Sequence, residues 1–537
     1  MLKRYTPFMT FIFTIFTLVV TMTKGIVMPK KTPNAIDDNF SPTPTTSKLS
    51  KNLIIALLVM VVGVGSVSGA TKTATVTGNW NNTATWGGTL VPVANDVVII
   101  NTGITVTLDV STANTLNSLT INSGATLNTT AAWNISATTI TVNGYFKNGS
   151  TGTITGTMTV GANATYEHAI NGGTIPPAAW NAASNCNITG ITNNAPLGGN
   201  QTFGNFTWDC LTQNTWIHIT STTMSIQGNL TVNNSNPGTN GYDFSIEQDV
   251  TIAKDLIINI TGIYRLCYQI TRVLNVNGNV TINGGQLLMN SSGTNANGTL
   301  NVAGNFNFAS GTINARAQTA ASSASNIIFN GTGATQTYTS GGTITSTAYN
   351  NIINFTVNSG AYLQMGTGAS PSIITAATNN GTNTFTLSSG ATLGITSSAG
   401  ITTTSGLTGN IQVAGTRNYA AGANYIYNAT ADQVTGNGLP TPLTGNLTFS
   451  GSGTKTYSTT ATSTANVLTV NAGVTLLLNG NSPLTPVSAT IYGTVIGQSA
   501  GSDALVGSGT NITFASGSTF IHNQNGKRIT QATWDIN

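Results

Sequence analysis

The chain contains few charged residues, few histidines and few cysteines. It has 17 Lys and Arg and 13 Asp and Glu among 537 residues, with a net charge of +4, whereas about a quarter of a typical soluble domain is charged. So small an excess over this length leaves no basic patch, which excludes nucleic acid as a partner. The three histidines lie far apart and no cysteine pair has zinc-site spacing. We therefore expect no metal and no cofactor.

The low cysteine content fits an exported chain that does not depend on disulfide bonds. Cys186 and Cys210 are separated by about one coil of a typical solenoid. A bridge between them is one interpretation, and buried thiols at these positions and at Cys267 are the other. The sequence leaves both open.

Apolar residues at helical spacing are also lacking, so we expect helix only near the N-terminus. Residues 53–62 are apolar, follow lysines and precede small residues up to Ala70, which is the pattern of a secretory signal cleaved near Ala70. A second apolar stretch, 8–20, is shorter than the roughly 20 residues that span a bilayer. It is either a stretch upstream of the true start, with Met28 as an alternative start, or a membrane anchor.

What the sequence does contain is a recurring phrase of an apolar–Thr–apolar triplet, a Gly turn and a second β-type pair. The copies lie at residues 119–127, 355–363, 385–393, 468–476 and 512–520. Such a unit buries its apolar side only when a neighbour stacks on it, which is typical of a solenoid. We predict an all-β, right-handed parallel β-helix of roughly twenty coils of about 20–25 residues.

Strand alternation fixes which side chains form the predicted core. Because successive strand residues point to opposite faces, Leu119 and Ile121 should point inward and Thr120 outward. The copy at 468–470 should do the same, with Leu468 and Val470 inside and Thr469 outside. Asn at repeated turn positions is expected to stack as a hydrogen-bonded ladder.

The segment 71–115 has an order of bulky and turn residues that differs from the rest. It contains Trp80, Trp86-Gly-Gly88, Pro92, Asp96 and Asp109. This order resembles the opening of the G8-type module that precedes β-helices in some surface proteins. It is also similar to the first segment of large bacterial β-helix repeat proteins exported through the type IX pathway. The resemblance implies a surface-exported β-helix, and the two tryptophans are expected to cover the open end of its core.

A longer repeat places residues 158–180 over 512–534 without a gap. It aligns His168 with His522, for which we expect a turn contact in each copy. It also aligns Trp180 with Trp534, which are either core anchors or platforms for sugar stacking. We divide the chain into a signal region, 1–70, a G8-like cap, 71–115, a first β-helix module, 116–464, and the start of a second, truncated module, 465–537.

One dense group of charged residues stands out in this neutral chain. Asp243, Glu247 and Asp249 are followed by Arg265. If a coil takes about 22 residues, Asp243 and Arg265 stack on adjacent coils. The charges either solvate a face and discourage edge pairing, in which case their removal costs a few tenths of a kcal/mol, or they serve catalysis or contact with a cation or sugar.

These observations lead to two classes of function. The first is a secreted or cell-surface structural β-solenoid, acting as a stalk, adhesin or matrix component without catalysis. The alternative is a β-helix carbohydrate-active enzyme, a polysaccharide lyase or hydrolase, or a carbohydrate-binding solenoid. Expected partners are extracellular glycans or neighbouring cells, with a membrane contacted only through an uncleaved N-terminal segment.

Overall fold

The fold is known from a computed structural model. It describes residues 69–112, 115–236, 238, 241–290, 296–315, 324–346, 352–367, 370–375, 383–403, 408–457, 463–507 and 510–535. The two apolar stretches expected near the N-terminus lie outside these residues. Within the described part of the chain, no helix is long and apolar enough to cross a bilayer.

Ser68–Asn537 forms one compact unit, a parallel β-solenoid of about 18 turns with almost no helix. The all-β, parallel solenoid prediction is therefore confirmed. The short sheet contains β1 (Thr71–Ala74), β3 (Val97–Ile100), β5 (Leu116–Ile121), β7 (Ile135–Val142), β9 (Ile154–Val160) and β11 (Ala178–Trp180).

The long sheet extends from one end of the solenoid to the other. It contains β2 (Gly78–Asn79), β4 (Thr105–Leu108), β6 (Thr126–Thr129), β8 (Tyr145–Asn148), β10 (Thr165–His168), β12 (Asn185–Ile188), β14 (Asn205–Asp209), β17 (Leu230–Asn234), β20 (Leu256–Thr261), β23 (Val280–Asn290), β25 (Phe306–Ala315), β27 (Thr335–Ser340), β30 (Tyr362–Met365), β33 (Thr392–Ile395), β36 (Asn424–Tyr427), β38 (Leu447–Phe449), β40 (Ser463–Val470), β42 (Leu484–Ile491), β44 (Ile512–Phe514) and β46 (Thr533–Trp534). A side column joins it through β23 and β25, and consists of β15 (Ile217–Ile219), β18 (Phe244–Ile246), β21 (Ile263–Arg265) and β28 (Thr343–Ser346).

The remaining faces are built from three smaller sheets. The first contains β13 (Thr202–Phe203), β16 (Ser225–Ile226), β19 (Val250–Ile252), β22 (Arg272–Val276), β24 (Gly298–Val302), β26 (Ala324–Phe329), β29 (Ile352–Val357), β32 (Phe385–Leu387) and β35 (Arg417–Tyr419). The second pairs β31 (Ile374–Thr375) with β34 (Ile411–Gln412), and the third contains β37 (Gln433–Val434), β39 (Gly453–Tyr457), β41 (Val474–Leu478), β43 (Thr494–Gly497) and β45 (Thr519–His522). The sheets continue across positions 115/116 and 464/465, so neither predicted boundary interrupts the solenoid.

Coil length varies more than the sequence pattern indicated. Ile140 pairs with Met158, a coil of 18 residues, whereas Phe306 pairs with Tyr338, a coil of 32 residues. The strands of successive coils remain paired despite this difference, with local register shifts such as the one between Ser136 and Thr139 in β7. Differences in coil length therefore do not interrupt the ladder of backbone hydrogen bonds.

Alternation along the strands forms the core as predicted. Leu119, Ile121, Leu468 and Val470 are fully buried, and Thr120 and its counterpart in β40 are half-buried on the outer side. Each large aliphatic side chain removed from water in this way contributes about 1.5–3 kcal/mol. The inward positions of successive coils stack into one continuous apolar column.

Two tryptophans pack against the first coil. Trp80 and Trp86 are buried and meet edge to face, with ring centroids 5.1 Å apart. The indole N–H of Trp86 donates to the carbonyl of Trp80 at 2.7 Å. A short 3-10 helix, Thr83–Trp86, carries the second ring, and Asn82 caps it by accepting from the backbone N–H of Ala84. The burial of both rings agrees with the expectation that they cover the start of the core.

A column of amide side chains links the coils along the long sheet. At each position a side-chain oxygen accepts a hydrogen bond of 2.7–3.1 Å from the next coil. Asn185 accepts from the side-chain amide of Asn205. The other acceptors bond to a backbone N–H: Asn205 to that of Asn229, Asn229 to that of Asp255, Asp255 to that of Asn279, Asn279 to that of Asn305, and Asn305 to that of Thr337. Each bond satisfies a donor that would otherwise rely on water. The predicted ladder of stacked asparagines is confirmed.

We expect Asn205→Ala to weaken the solenoid locally, because the N–H of Asn229 loses its 2.9 Å acceptor. The expected cost is about 1 kcal/mol, observed as roughly fivefold faster amide hydrogen exchange at Asn229. Asn205→Asp is the control that keeps this acceptor and loses only the amide bond to Asn185, so exchange at Asn229 should stay closer to that of the parent. Exchange at Asn229 that is as slow in Asn205→Ala as in the parent would show that this bond contributes no stability.

Candidate functional site

The densest group of polar side chains lies on the side column formed by β15, β18 and β21. His218 pairs with Ser245, and Ser245 with Arg265, so one position on each of three successive coils forms an outward row. Their neighbours Phe244 and Tyr264 point into the core and are buried. We define the polar cluster as His218, Asp243, Ser245, Glu247, Arg265 and Tyr268.

Asp243 and Arg265 form an ion pair between adjacent coils. The predicted stacking of these two residues is therefore confirmed. The interpretation that they solvate an exposed face is wrong, because Asp243 is 0% exposed and Arg265 only 5%. The ring of Tyr268 lies over the guanidinium of Arg265, 5.3 Å from its Cζ atom, and helps to shield the pair from water.

Ser245 connects the other members of the polar cluster. Its hydroxyl donates to a carboxylate oxygen of Glu247 at 2.6 Å, and Nδ1 of His218 lies 2.6 Å from the same hydroxyl oxygen. Since the serine proton is used toward Glu247, we assign the imidazole proton to Nδ1, which donates to the serine oxygen. The Nε2 lone pair then remains as an acceptor.

His218 is held neutral by its surroundings. Burial, followed by the positive charge of Arg265, lowers the pKa of His218 to about 4. The Glu247 carboxylate, 3.6 Å from Nδ1, opposes this effect but does not outweigh it. The imidazole also stacks on the ring of Tyr268, with centroids 4.3 Å apart.

Asp249 does not belong to the polar cluster. It is exposed, and its carboxylate accepts from the backbone N–H of Val273 on the next coil at 2.9 Å. This position precedes β19, in a different sheet from the other three predicted residues. Asp249 therefore links two coils at a corner.

The geometry of the polar cluster limits its chemistry. Ser245 is fully buried, so its hydroxyl is not accessible to a substrate. In a Ser–His–acid triad one imidazole nitrogen contacts the serine and the other contacts the acid, whereas here Nδ1 of His218 faces both Ser245 and Glu247. Glycoside hydrolysis requires two carboxyl groups that flank the scissile bond. Here Asp243 is inaccessible and only Glu247 is partly exposed. The arrangement suits hydrogen bonding to a ligand better than bond cleavage.

The two tryptophans proposed for sugar stacking have different surroundings. Trp180 is only 8% exposed and packs between Tyr166 and Phe203, and its indole N–H donates to Gln201 at 2.9 Å. Its assignment as a sugar platform is corrected, because the next coil covers the ring. Trp534 is 46% exposed and stacks on Phe514 with centroids 4.2 Å apart, so it retains an accessible face.

The cysteines are buried free thiols, so the bridge between Cys186 and Cys210 is not formed. Cys186 pairs with Phe206 on the next coil, which places Cys210 four positions, about 13 Å, further along the strand direction. A disulfide needs Cα atoms within about 7 Å. The thiol of Cys210 instead donates to the carbonyl of Ile188 at 3.4 Å.

His168 makes the expected turn contact. Its Nε2 atom lies 2.6 Å from the carbonyl oxygen of Gly172, which has a φ of 69°. In the later copy, Gly526 has a φ of 71°, and His522 is half-buried. The two copies thus share a left-handed glycine turn after the histidine.

Comparison with known proteins identifies one related domain. Residues 85–167 match the G8 domain family, and this match extends beyond the 71–115 segment that carried the sequence resemblance. No curated protein and no solved structure matches the chain. In the described residues, no group of three or more His, Cys, Asp or Glu is placed to hold a metal ion.

Sequence reasoning missed His218, Ser245 and Tyr268 as members of the polar cluster. The available signal was coil spacing, because His218 and Ser245 are 27 residues apart, close to the 26-residue offset between Leu230 and Leu256. Tyr268 could not have been found in this way, since it lies after β21 and reaches the row through local chain folding.

We expect Asp243→Asn to destabilise the chain by about 3–5 kcal/mol, because it leaves the buried guanidinium of Arg265 uncompensated. Asp249→Asn is the matched control and should change the free energy of unfolding by less than about 0.5 kcal/mol, since Asp249 is exposed. Chemical denaturation would measure both. If both variants change the free energy of unfolding by similarly small amounts, the Asp243–Arg265 pair is not required for stability.

The lowered pKa of His218 predicts a pH dependence of stability. Between about pH 6.5 and pH 4 the unfolded chain binds a proton at this residue that the folded chain does not, so the residue's contribution to stability falls as pH falls through that window. His218→Gln should reduce the fall of the free energy of unfolding across this pH window. The remaining fall is due to His168, because burial also lowers the pKa of that residue. An NMR titration placing the His218 pKa near 6.5 would contradict the assignment.

Proposed function

We propose that this chain is a secreted or cell-surface structural β-solenoid that acts as a stalk, adhesin or matrix component without catalysis. The observation that carries the proposal is the parallel ladder of the long sheet, which continues from β2 to β46. With coils about 4.8 Å apart, 18 turns give a body roughly 90 Å long. A right-handed winding is part of the proposal, because parallel β crossovers are right-handed in about 98% of cases.

The chemistry of the outer surface supports a structural role. Outward strand positions are mostly Thr, Asn and Ser, and the amide column uses such residues to bind one coil to the next. With few charges on its outside, the solenoid would interact with its surroundings through hydroxyl and amide groups, and these contacts would depend little on salt. Such a surface suits extracellular glycans or neighbouring cells as partners.

The position of the first strand supports export. β1 begins at Thr71, directly after Ala70, where the signal pattern of residues 53–70 predicts cleavage. Removal of that segment would therefore leave β1 in place and cost the ladder one bond, from the N–H of Val97 to the carbonyl of Ala70 at 3.0 Å. We include bacterial origin and export of the type IX kind in the proposal, on the strength of the sequence resemblance around Trp80 and Trp86.

A stalk should tolerate the loss of a whole coil wherever it lies. Deleting residues 119–139 puts Ile140 in the place of Leu119, and deleting 230–255 puts Leu256 in the place of Leu230 and removes part of the polar cluster. We expect both variants to be exported, with a mature N-terminus near Thr71, and the 119–139 deletion to retain surface adhesion. Fractionation, N-terminal sequencing and cell adhesion measure these outcomes.

The control is a deletion of 119–138, which is one residue shorter and turns the side chains of residues 139–142, in the joined strand, to the opposite face. It should be degraded or aggregate. If the parent chain releases reducing ends or unsaturated sugars from polysaccharides, and that activity is lost in the 230–255 deletion, the protein is instead a carbohydrate-active enzyme. Full-length chain retained in membranes with residues 8–20 would establish an anchor.

A further inference from the structure

A large exposed aromatic side chain adjoins the polar cluster. Trp216 directly precedes β15 and is 47% exposed. Along this segment Ile217 and Ile219 are buried while Trp216 and His218 face outward, so the two side chains leave the same face from Cα atoms about 7 Å apart. The backbone N–H of Ile217 donates to the carbonyl of Asp243 at 3.0 Å, which places Trp216 beside the Asp243 coil.

The groups facing outward around Trp216 are mainly hydrogen-bond acceptors. Glu247 is partly exposed and carries a carboxylate, and His218 in its assigned tautomer offers the Nε2 lone pair. The described residues provide no hydrogen-bond donor to that Nε2 atom. Arg265 is held by Asp243 and covered by Tyr268, so its charge is engaged within the protein.

The balance of charge selects the chemistry of a partner. Asp243 and Glu247 carry two negative charges against the single positive charge of Arg265, because His218 is neutral. The surface therefore repels acidic groups. It combines a flat apolar ring with acceptors for hydroxyl protons, which matches a molecule with one C–H face and a rim of hydroxyl groups.

We propose that Trp216, His218 and Glu247 form a binding site for a neutral saccharide. A pyranose ring would lie against the indole of Trp216, and its hydroxyl groups would donate to Glu247 and to Nε2 of His218. Ser245 and Tyr268 are positioning residues: the serine hydroxyl orients the carboxylate and the imidazole, and the tyrosine ring holds the imidazole plane. The proposal goes beyond the structural role and adds a defined contact for an adhesin.

The test is isothermal titration calorimetry of the purified full chain with neutral hexose and pentose oligosaccharides, an oligogalacturonate and tetramethylammonium. We expect at least one neutral oligosaccharide to bind, Trp216→Ala to weaken it by tenfold or more, and Glu247→Gln by about fivefold. Unchanged thermal unfolding of Trp216→Ala would show that the fold is intact. Trp534→Ala is the matched control, because Trp534 is equally exposed but far along the chain, and it should bind as the parent does.

Three results would overturn the proposal. The first is that none of the neutral oligosaccharides binds. The second is that binding survives Trp216→Ala but is lost in Trp534→Ala, which would move the site to the other tryptophan. The third is a preference for the oligogalacturonate or the organic cation. Each of these leaves the structural role intact, since that role is tested by coil deletion, export and adhesion.

Discussion

Every coil of this protein must keep its strands in register with the coils before and after it. The backbone ladder imposes this constraint, and the composition follows from it. Inward positions must be apolar at every second residue, and outward positions must be small or able to bond to the next coil. Thr and Asn satisfy the second requirement without charge, which explains how a chain with so few ionised groups builds a regular surface.

The ionised residues that remain are used where the ladder needs a specific contact. Asp255 takes one place in the column of asparagines, and Asp249 accepts a backbone N–H at a corner. Lys455 is buried and donates to the carbonyls of Ala429 and Ala431, much as Gln433 donates to those of Ile395 and Ser397. At these three positions a charged side chain therefore serves as a link between coils.

Features with a period could be predicted from the sequence. Leu119 and Thr120 were assigned to opposite faces because strand alternation has a period of two, and Asp243 was placed near Arg265 because coils have a typical length. Features that depend on local chain folding could not. The burial of the Asp243–Arg265 pair depends on Tyr268, the burial of Trp180 depends on Phe203 from the next coil, and the separation of Cys186 from Cys210 depends on position along the strand as well as on coil count.

The coil geometry also stores a large amount of chain in a short axial distance. One coil advances the solenoid by about 4.8 Å yet contains 18 to 37 residues, which extend to roughly 60–120 Å when pulled straight. A coil detached from either end under tension would therefore lengthen the molecule by more than ten times its folded rise. Under tension the protein would lengthen in discrete steps, one coil at a time, and each step would lower the tension while the remaining coils keep their structure.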